Sequence, residues 1–215
     1  MKHPMKLLAA ACTLALAPAV SMANLIPTNT SITGTGPYIW TYNLQLSPDQ
    51  NVNSGLPPVT NPVPHIDLTF GGFLTLYDFF GFIPGTCVTP AGWTCTAQNV
   101  GYTPDDTLPP DNPGIVNITW TYTSGPTIKG DPILATSVDL GNFSLESIYN
   151  RTDFVAYSAR GVKNNGASAG TIADNVGTTI GPINPALIPE PGSLALLSLG
   201  LGFLGYTRRK ARKAV

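Results

Sequence analysis

The sequence predicts a single all-β domain, built as an antiparallel β-sandwich or a jelly-roll-like fold. The chain of 215 residues contains 22 glycines and 21 prolines, which leave little room for long helices. Several short segments alternate apolar and polar side chains with a period of two, as expected for strands with one buried face. Glycine- and proline-rich connections separate these segments, an arrangement typical of sandwiches.

The first 23 residues have the features of a secretory signal peptide. Lys2 and Lys6 supply positive charge, residues 7–20 are apolar, and Ser21 and Ala23 are the small residues of a cleavage site. The apolar run is shorter than the ~20 residues that span a bilayer, which favours cleavage over an uncleaved anchor. We therefore expect export by the Sec machinery and cleavage by signal peptidase after Ala23.

Two segments of the middle region give the clearest strand patterns. In residues 38–46 and again in residues 116–123, apolar side chains stand at every second position. Trp40 and Trp120 lie on the apolar sides of these two segments, so we expect both to pack in the core. Weaker strand candidates, each a short apolar or alternating run, are residues 66–70, 73–80, 133–140, 143–148 and 154–161.

Two cysteines remain once the predicted signal peptide is removed. Cys87 and Cys95 flank a Pro-Ala-Gly turn at residues 90–92, and an even number of cysteines in an exported chain favours a disulfide. A zinc site is the alternative, but it would need more cysteine or histidine ligands than His65 adds. The sequence therefore predicts a disulfide between Cys87 and Cys95 that closes a short loop.

Candidate ligand-binding residues fall in two loops. Trp93 lies between the two cysteines and is the best candidate for a contact with a sugar ring. Asp105, Asp106 and Asp111 could supply oxygen ligands to Ca²⁺, although their spacing differs from that of an EF-hand loop. The pattern indicates no other metal site and no cofactor. Because two carboxylates can perform glycoside hydrolysis, a secreted hydrolase is a weaker alternative.

Charge and motif content argue against nucleic-acid binding and against catalysis. Residues 24–188 hold four basic and eleven acidic residues, a net charge of −7, so they lack the basic face that binds phosphates. Residues 166–170 match the G-x-S-x-G pattern, but no histidine follows His65 to complete a triad. Residues 200–205 match G-x-G-x-x-G, but they lie inside an apolar run. We expect no enzymatic activity.

Three consecutive features mark the C-terminal region. Pro189, Glu190 and Pro191 come first, and the uncharged, leucine-rich residues 193–206 then predict a short transmembrane helix. A basic tail follows at residues 208–213, with charges at Arg208, Arg209, Lys210, Arg212 and Lys213. By the positive-inside rule the tail lies in the cytoplasm, which puts the β-domain outside the inner membrane.

Together these three features resemble the PEP-CTERM sorting signal of Gram-negative bacteria. The resemblance covers residues 189–215 and implies recognition by an exosortase, a membrane-embedded enzyme that processes its substrates and directs them to the envelope surface. It also implies an association with exopolysaccharide and biofilm, because the family is usual in species that make exopolysaccharide.

The chain is thus predicted to consist of a signal peptide (1–23), a secreted all-β domain (24–188) and a sorting signal (189–215). We expect a precursor anchored in the inner membrane that becomes a cell-envelope or extracellular-matrix protein with a structural or interaction role. A module that binds exopolysaccharide is the alternative, and Trp93 is the residue that would contact the sugar.

Overall fold

The computed structural model describes residues 25–58 and 70–187. The predicted signal peptide, the sorting signal and residues 66–69 of one strand candidate lie outside this part of the chain. Within it the protein forms antiparallel sheets joined by turns, with one short 3₁₀ helix at Pro185–Leu187. The ten strands, in chain order, are β1 (Leu25–Thr33), β2 (Tyr38–Leu46), β3 (Gln50–Val52), β4 (Phe73–Leu76), β5 (Trp93–Gln98), β6 (Asn117–Tyr122), β7 (Ile128–Lys129), β8 (Val138–Ser147), β9 (Thr152–Lys163) and β10 (Ile172–Pro182).

The strands form two sheets. The smaller sheet has the order β1-β2-β8, and the larger has the order β5-β6-β4-β9-β3-β7 with β10 added beside β9. Strand β9 pairs with three other strands of the larger sheet. Strands β4 and β3 pair with successive parts of one edge of β9, and β10 pairs along its other edge. Every pairing between these strands is antiparallel, as predicted.

A shared aromatic core joins the two sheets. Tyr42 of β2 lies 5.8 Å from Trp120 of β6, and Phe143 of β8 lies 5.4 Å from the same indole, measured between ring centroids. Trp40 also faces inward, against Phe79. Both Trp40 and Trp120 are fully buried, which confirms their predicted place in the core.

Strand β6 is buried on both faces, although its sequence alternates. Thr119 and Thr121 are buried as completely as Trp120 between them. The segment between β5 and β6 is responsible, because Tyr102 packs its ring 5.8 Å from that of Phe73 on the neighbouring strand. The hydroxyls of Thr119 and Thr75 share a 2.8 Å hydrogen bond beneath this cover. A covering loop therefore hides a face that the pattern assigns to solvent.

Several predicted strand limits need correction. The candidates at 133–140 and 143–148 belong to one strand, β8, which is interrupted by a bulge where Gly141 has φ +92°. Ile133 and Leu134 are instead 91% and 69% exposed, in a turn before β8. The candidate at 73–80 ends as a strand at Leu76, and Asp78 then adopts a left-handed conformation with φ +54°.

Five strands gave no clear pattern in the sequence, namely β1, β3, β5, β7 and β10. Two of them are only two or three residues long, too short for any periodicity to be visible. Threonine recurs in the other three, with three residues in β1 and two each in β5 and β10, and β10 also contains two glycines. Strand β10 is held mainly by eleven consecutive register pairs with β9. Backbone pairing, which side-chain patterns do not record, thus defines these strands.

Candidate functional site

The predicted disulfide between Cys87 and Cys95 is present. The two Cα atoms lie 6.4 Å apart, and the bond closes the loop that leads into β5. Gly92, with φ +85°, makes the turn there, and a Cβ on it would lie 2.3 Å from the carbonyl oxygen of Ser124. Trp120 donates its Nε1 proton to Cys87 Sγ at 3.3 Å. The disulfide therefore ties an irregular loop directly to the aromatic core.

Reduction of this disulfide is expected to lower the free energy of unfolding by about 2.5 kcal/mol, because an open loop of this length gains chain entropy mainly in the unfolded state. Urea denaturation of the oxidised and reduced protein measures the difference. Cys87→Ser/Cys95→Ser provides the matched control, since it should be insensitive to reductant. Equal stability of the oxidised and reduced forms would contradict the prediction.

The structure places Trp93, the predicted sugar contact, in the core. Only 6% of its surface is exposed. Its indole lies 5.0 Å from the ring of Phe143 and 5.4 Å from that of Tyr122. Tyr122 lies on the neighbouring strand β6 and Phe143 on the opposite sheet, so the buried indole has no open face for a sugar ring to stack on. Trp93 thus acts in packing, and it gives no support to exopolysaccharide binding.

The three aspartates that were candidates for calcium do not form a cluster. Asp105 and Asp106 are exposed in a turn, whereas Asp111 is half-buried. The Asp111 carboxylate accepts hydrogen bonds from Asn117 Nδ2 at 2.9 Å and from Thr103 Oγ1 at 3.4 Å. Across residues 25–58 and 70–187, no group of three or more His, Cys, Asp or Glu side chains is arranged to hold a metal ion. Asp111 instead anchors the loop that covers β6.

A buried ion pair on the outer face of the larger sheet is the main polar feature of the described residues. Arg160 of β9 is only 3% exposed, and its Nε and Nη2 donate to the two carboxylate oxygens of Asp174 on β10 at 2.7 and 2.9 Å. Three aromatic rings surround the guanidinium, those of Phe70, Phe73 and Tyr102, with centroids 5.1 to 5.6 Å from Cζ. The charge is thus held by one carboxylate and by ring faces.

Tyrosine hydroxyls extend the ion pair into a network. Tyr102 donates to Asp174 Oδ2 at 2.9 Å, and its backbone carbonyl accepts a 2.7 Å hydrogen bond from Tyr77 Oη. Tyr77 Oη also lies 2.7 Å from the hydroxyl of Ser158. Burial, with a contribution from the Asp174 charge, raises the pKa of Tyr102 to about 12. Tyr102 therefore stays protonated at neutral pH and acts as a hydrogen-bond donor.

The cavity beside this network is small. It has a volume of about 40 Å³, and the residues that line it are Asn53, Phe70, Gly72, Arg160, Gly161, Val162 and Ile172. At roughly 10 to 15 Å³ per water site, this space accommodates about three waters. Drug-sized ligands need pockets of roughly 300 Å³ or more, so this cavity is too small for a ligand of that size.

The sequence alone gave no sign of this network. Arg160 and Asp174 are 14 positions apart, and the register of β9 with β10 places them directly opposite each other. The only available signal was a single arginine within the predicted strand 154–161. The G-x-S-x-G pattern at residues 166–170 lies between the two strands, in the exposed turn that joins them.

No helix within the described ranges is long and apolar enough to cross a membrane.

The described part of the chain is therefore an all-β domain stabilised by a disulfide, and its C-terminal end leads directly into a sorting segment. Residues 187–213 match the PEP-CTERM protein-sorting motif, which confirms the predicted resemblance. The motif implies an exported protein, a membrane-anchored precursor, processing by an exosortase at the membrane and sorting to the surface. No curated protein and no solved structure matches the chain.

Proposed function

We propose that the chain is a non-catalytic envelope or extracellular-matrix protein, whose β-domain an exosortase-type enzyme separates from its membrane anchor. The observation that carries the proposal is the position of the sorting motif. The motif begins at residue 187, the last residue of the 3₁₀ helix Pro185–Leu187, which itself follows β10 after two residues. A processing enzyme at the membrane would thus cut immediately after a folded domain.

The polar groups of the described domain support a structural role. Its most buried charge, on Arg160, is neutralised by Asp174, and its largest aromatic residues pack against one another between the sheets. We propose that the processed product is a structural or interaction module of the envelope and that it acts through contacts made by the surface of its folded domain. Its net charge of −7 over residues 24–188 disfavours direct contact with anionic polymers.

Intact-mass measurement of the protein released by cells that contain an exosortase tests the proposal. The expected product begins at Asn24 and lacks the basic residues 208–213. Glu190→Ala should abolish processing and leave the chain in the membrane fraction, because it alters the recognised motif. Leu108→Ala is the matched control, since this side chain is exposed on the β-domain and should not affect processing. A released product that still ends at Val215 would overturn the proposal.

A further inference from the structure

The C-terminal end of the described chain defines one end of the domain, which we call the tail-exit end. Strand β10 finishes opposite Thr152, and the amide of Ile183 then donates to the carbonyl of Arg151 at 2.9 Å. The turn 148–151 between β8 and β9 lies at the same end. The opposite end, about 33 Å away along β10, carries the turn 164–171 and the exposed Ile133.

The chain between this end and the predicted anchor is short. Five residues, 188–192, separate Leu187 from the apolar run 193–206. Even fully extended, the six steps from Leu187 to Ser193 span only about 20 Å. If the apolar run is embedded in the bilayer, the tail-exit end must stay close to the lipid surface. The geometry of attachment thus makes this end the one that faces the membrane.

Apolar side chains are exposed at this end. Phe154 is 67% exposed and Ile148 is 58% exposed. The adjoining loop adds two half-buried aromatic residues, Phe80 and Phe82. The tail-exit end therefore presents apolar side chains to solvent at two exposed and two half-buried positions.

The local packing fixes this apolar surface in place. The amide of Ile148 donates to the carbonyl of Gly81 at 3.0 Å, and Ser147 Oγ donates to the carbonyl of Phe80 at 2.7 Å. Gly81 has φ +68°, and a Cβ on it would lie 2.7 Å from side-chain atoms of both Ile148 and Tyr149. The loop and the turn are therefore closely packed, and Phe80, Phe82 and Ile148 are held in place before any partner arrives.

The charges around the surface nearly cancel. Arg151 and Asp153 precede Phe154 in the sequence and are both exposed, and Glu146 is half-buried near the end of β8. A surface without net positive charge gains little from anionic headgroups. The affinity of the tail-exit end for lipid must therefore come from the burial of apolar side chains. This affinity should be similar for zwitterionic and anionic membranes.

We infer that the tail-exit end rests on the lipid surface in the precursor, with Phe154 and Ile148 inserted at the headgroup boundary. This inference rests on the proposed function, because it requires the sorting tail to act as a membrane anchor. Docking holds the junction at residue 187 at the depth where a membrane-embedded enzyme works. Release of the tail removes the tether and exposes the surface.

Fluorescence quenching by brominated lipid tests the inference on the full chain. The variants Phe154→Trp and Ile133→Trp are each reconstituted in phosphatidylcholine vesicles whose acyl chains are brominated near the headgroup. Emission of the unmodified chain, which comes from three buried tryptophans, is subtracted. Ile133 is the matched control because it is exposed at the opposite end. The fraction of added emission that is quenched should be at least about twofold larger for tryptophan at position 154.

The outcomes separate this inference from the proposed function. A chain that does not float with the vesicles lacks a membrane anchor, and both proposals then fail. A chain that floats but shows equal quenching at positions 154 and 133 overturns the docking inference alone. If position 154 is quenched only when an exosortase is present, the surface contacts the enzyme rather than lipid. That result also overturns the docking inference. The docking inference is supported if quenching is stronger at position 154 than at position 133 in phosphatidylcholine vesicles without an exosortase. The difference should remain when phosphatidylglycerol is added to the vesicles.

Discussion

Replacement of Asp174 by alanine is expected to lower the free energy of unfolding by about 3 to 5 kcal/mol, because it leaves the charge of Arg160 buried without a counter-ion. The Arg160 side chain is 3% exposed, and the two carboxylate oxygens of Asp174 accept its Nε and Nη2 protons. The aromatic rings around it cannot replace a carboxylate as hydrogen-bond acceptor. Urea denaturation followed by tryptophan fluorescence measures the loss.

A double variant shows whether the unpaired charge is the cause. Arg160→Met/Asp174→Ala removes both charges and retains an apolar side chain among the three rings. It should be clearly more stable than Asp174→Ala alone, since buried pairs are often replaced by apolar residues at little cost. If the double variant is the less stable of the two, the loss comes from packing and the explanation is wrong.

Replacement of Trp120 by alanine is expected to cost about 3 to 5 kcal/mol, the usual range for removal of a buried tryptophan. Trp120 is fully buried, and its ring contacts those of Tyr42 and Phe143 on the opposite sheet. The substitution would open a cavity between the sheets and remove the hydrogen bond to Cys87 Sγ. The unfolding midpoint in guanidinium chloride measures the effect.

Two further variants help to assign the cause of the stability loss in Trp120→Ala. Trp120→Phe keeps an aromatic ring but lacks the Nε1 donor, so it should lose much less stability than the alanine variant. Leu108→Ala changes a side chain that is 71% exposed and should alter stability by no more than about 0.5 kcal/mol. A Trp120→Ala protein as stable as the Leu108→Ala protein would show that the indole does not hold the sheets together.

The sequence predicted those features that depend on local pattern. The alternation in residues 38–46 corresponds to β2, whose inward side chains include Trp40 and Tyr42, and residues 116–123 contain β6. The disulfide was predictable because only two cysteines remain after the signal peptide. Each of these predictions depends on the residues of one short segment of the chain.

Other features depend on contacts between distant segments, and the sequence did not reveal them. Arg160 and Asp174 meet only because β9 and β10 pair in one particular register. Trp93 is buried because Phe143, 50 positions further on, packs against it. The apolar tail-exit end likewise combines a turn at 148–151 with a loop near Gly81. Side-chain periodicity reports which face of a strand is apolar, but it does not report what covers that face.

The directions of the first and last strands determine how the domain resists mechanical force. Leu25 begins β1 opposite Leu46, at the end of the domain away from the tail, whereas β10 finishes at Pro182 near the tail. Tension between these two points pulls each terminal strand along its own axis. Because the hydrogen bonds of antiparallel pairs lie across the strands, this tension loads them in shear, many at once. In a domain tethered through its tail and pulled at the other end, neither β1 nor β10 would therefore be peeled off one hydrogen bond at a time.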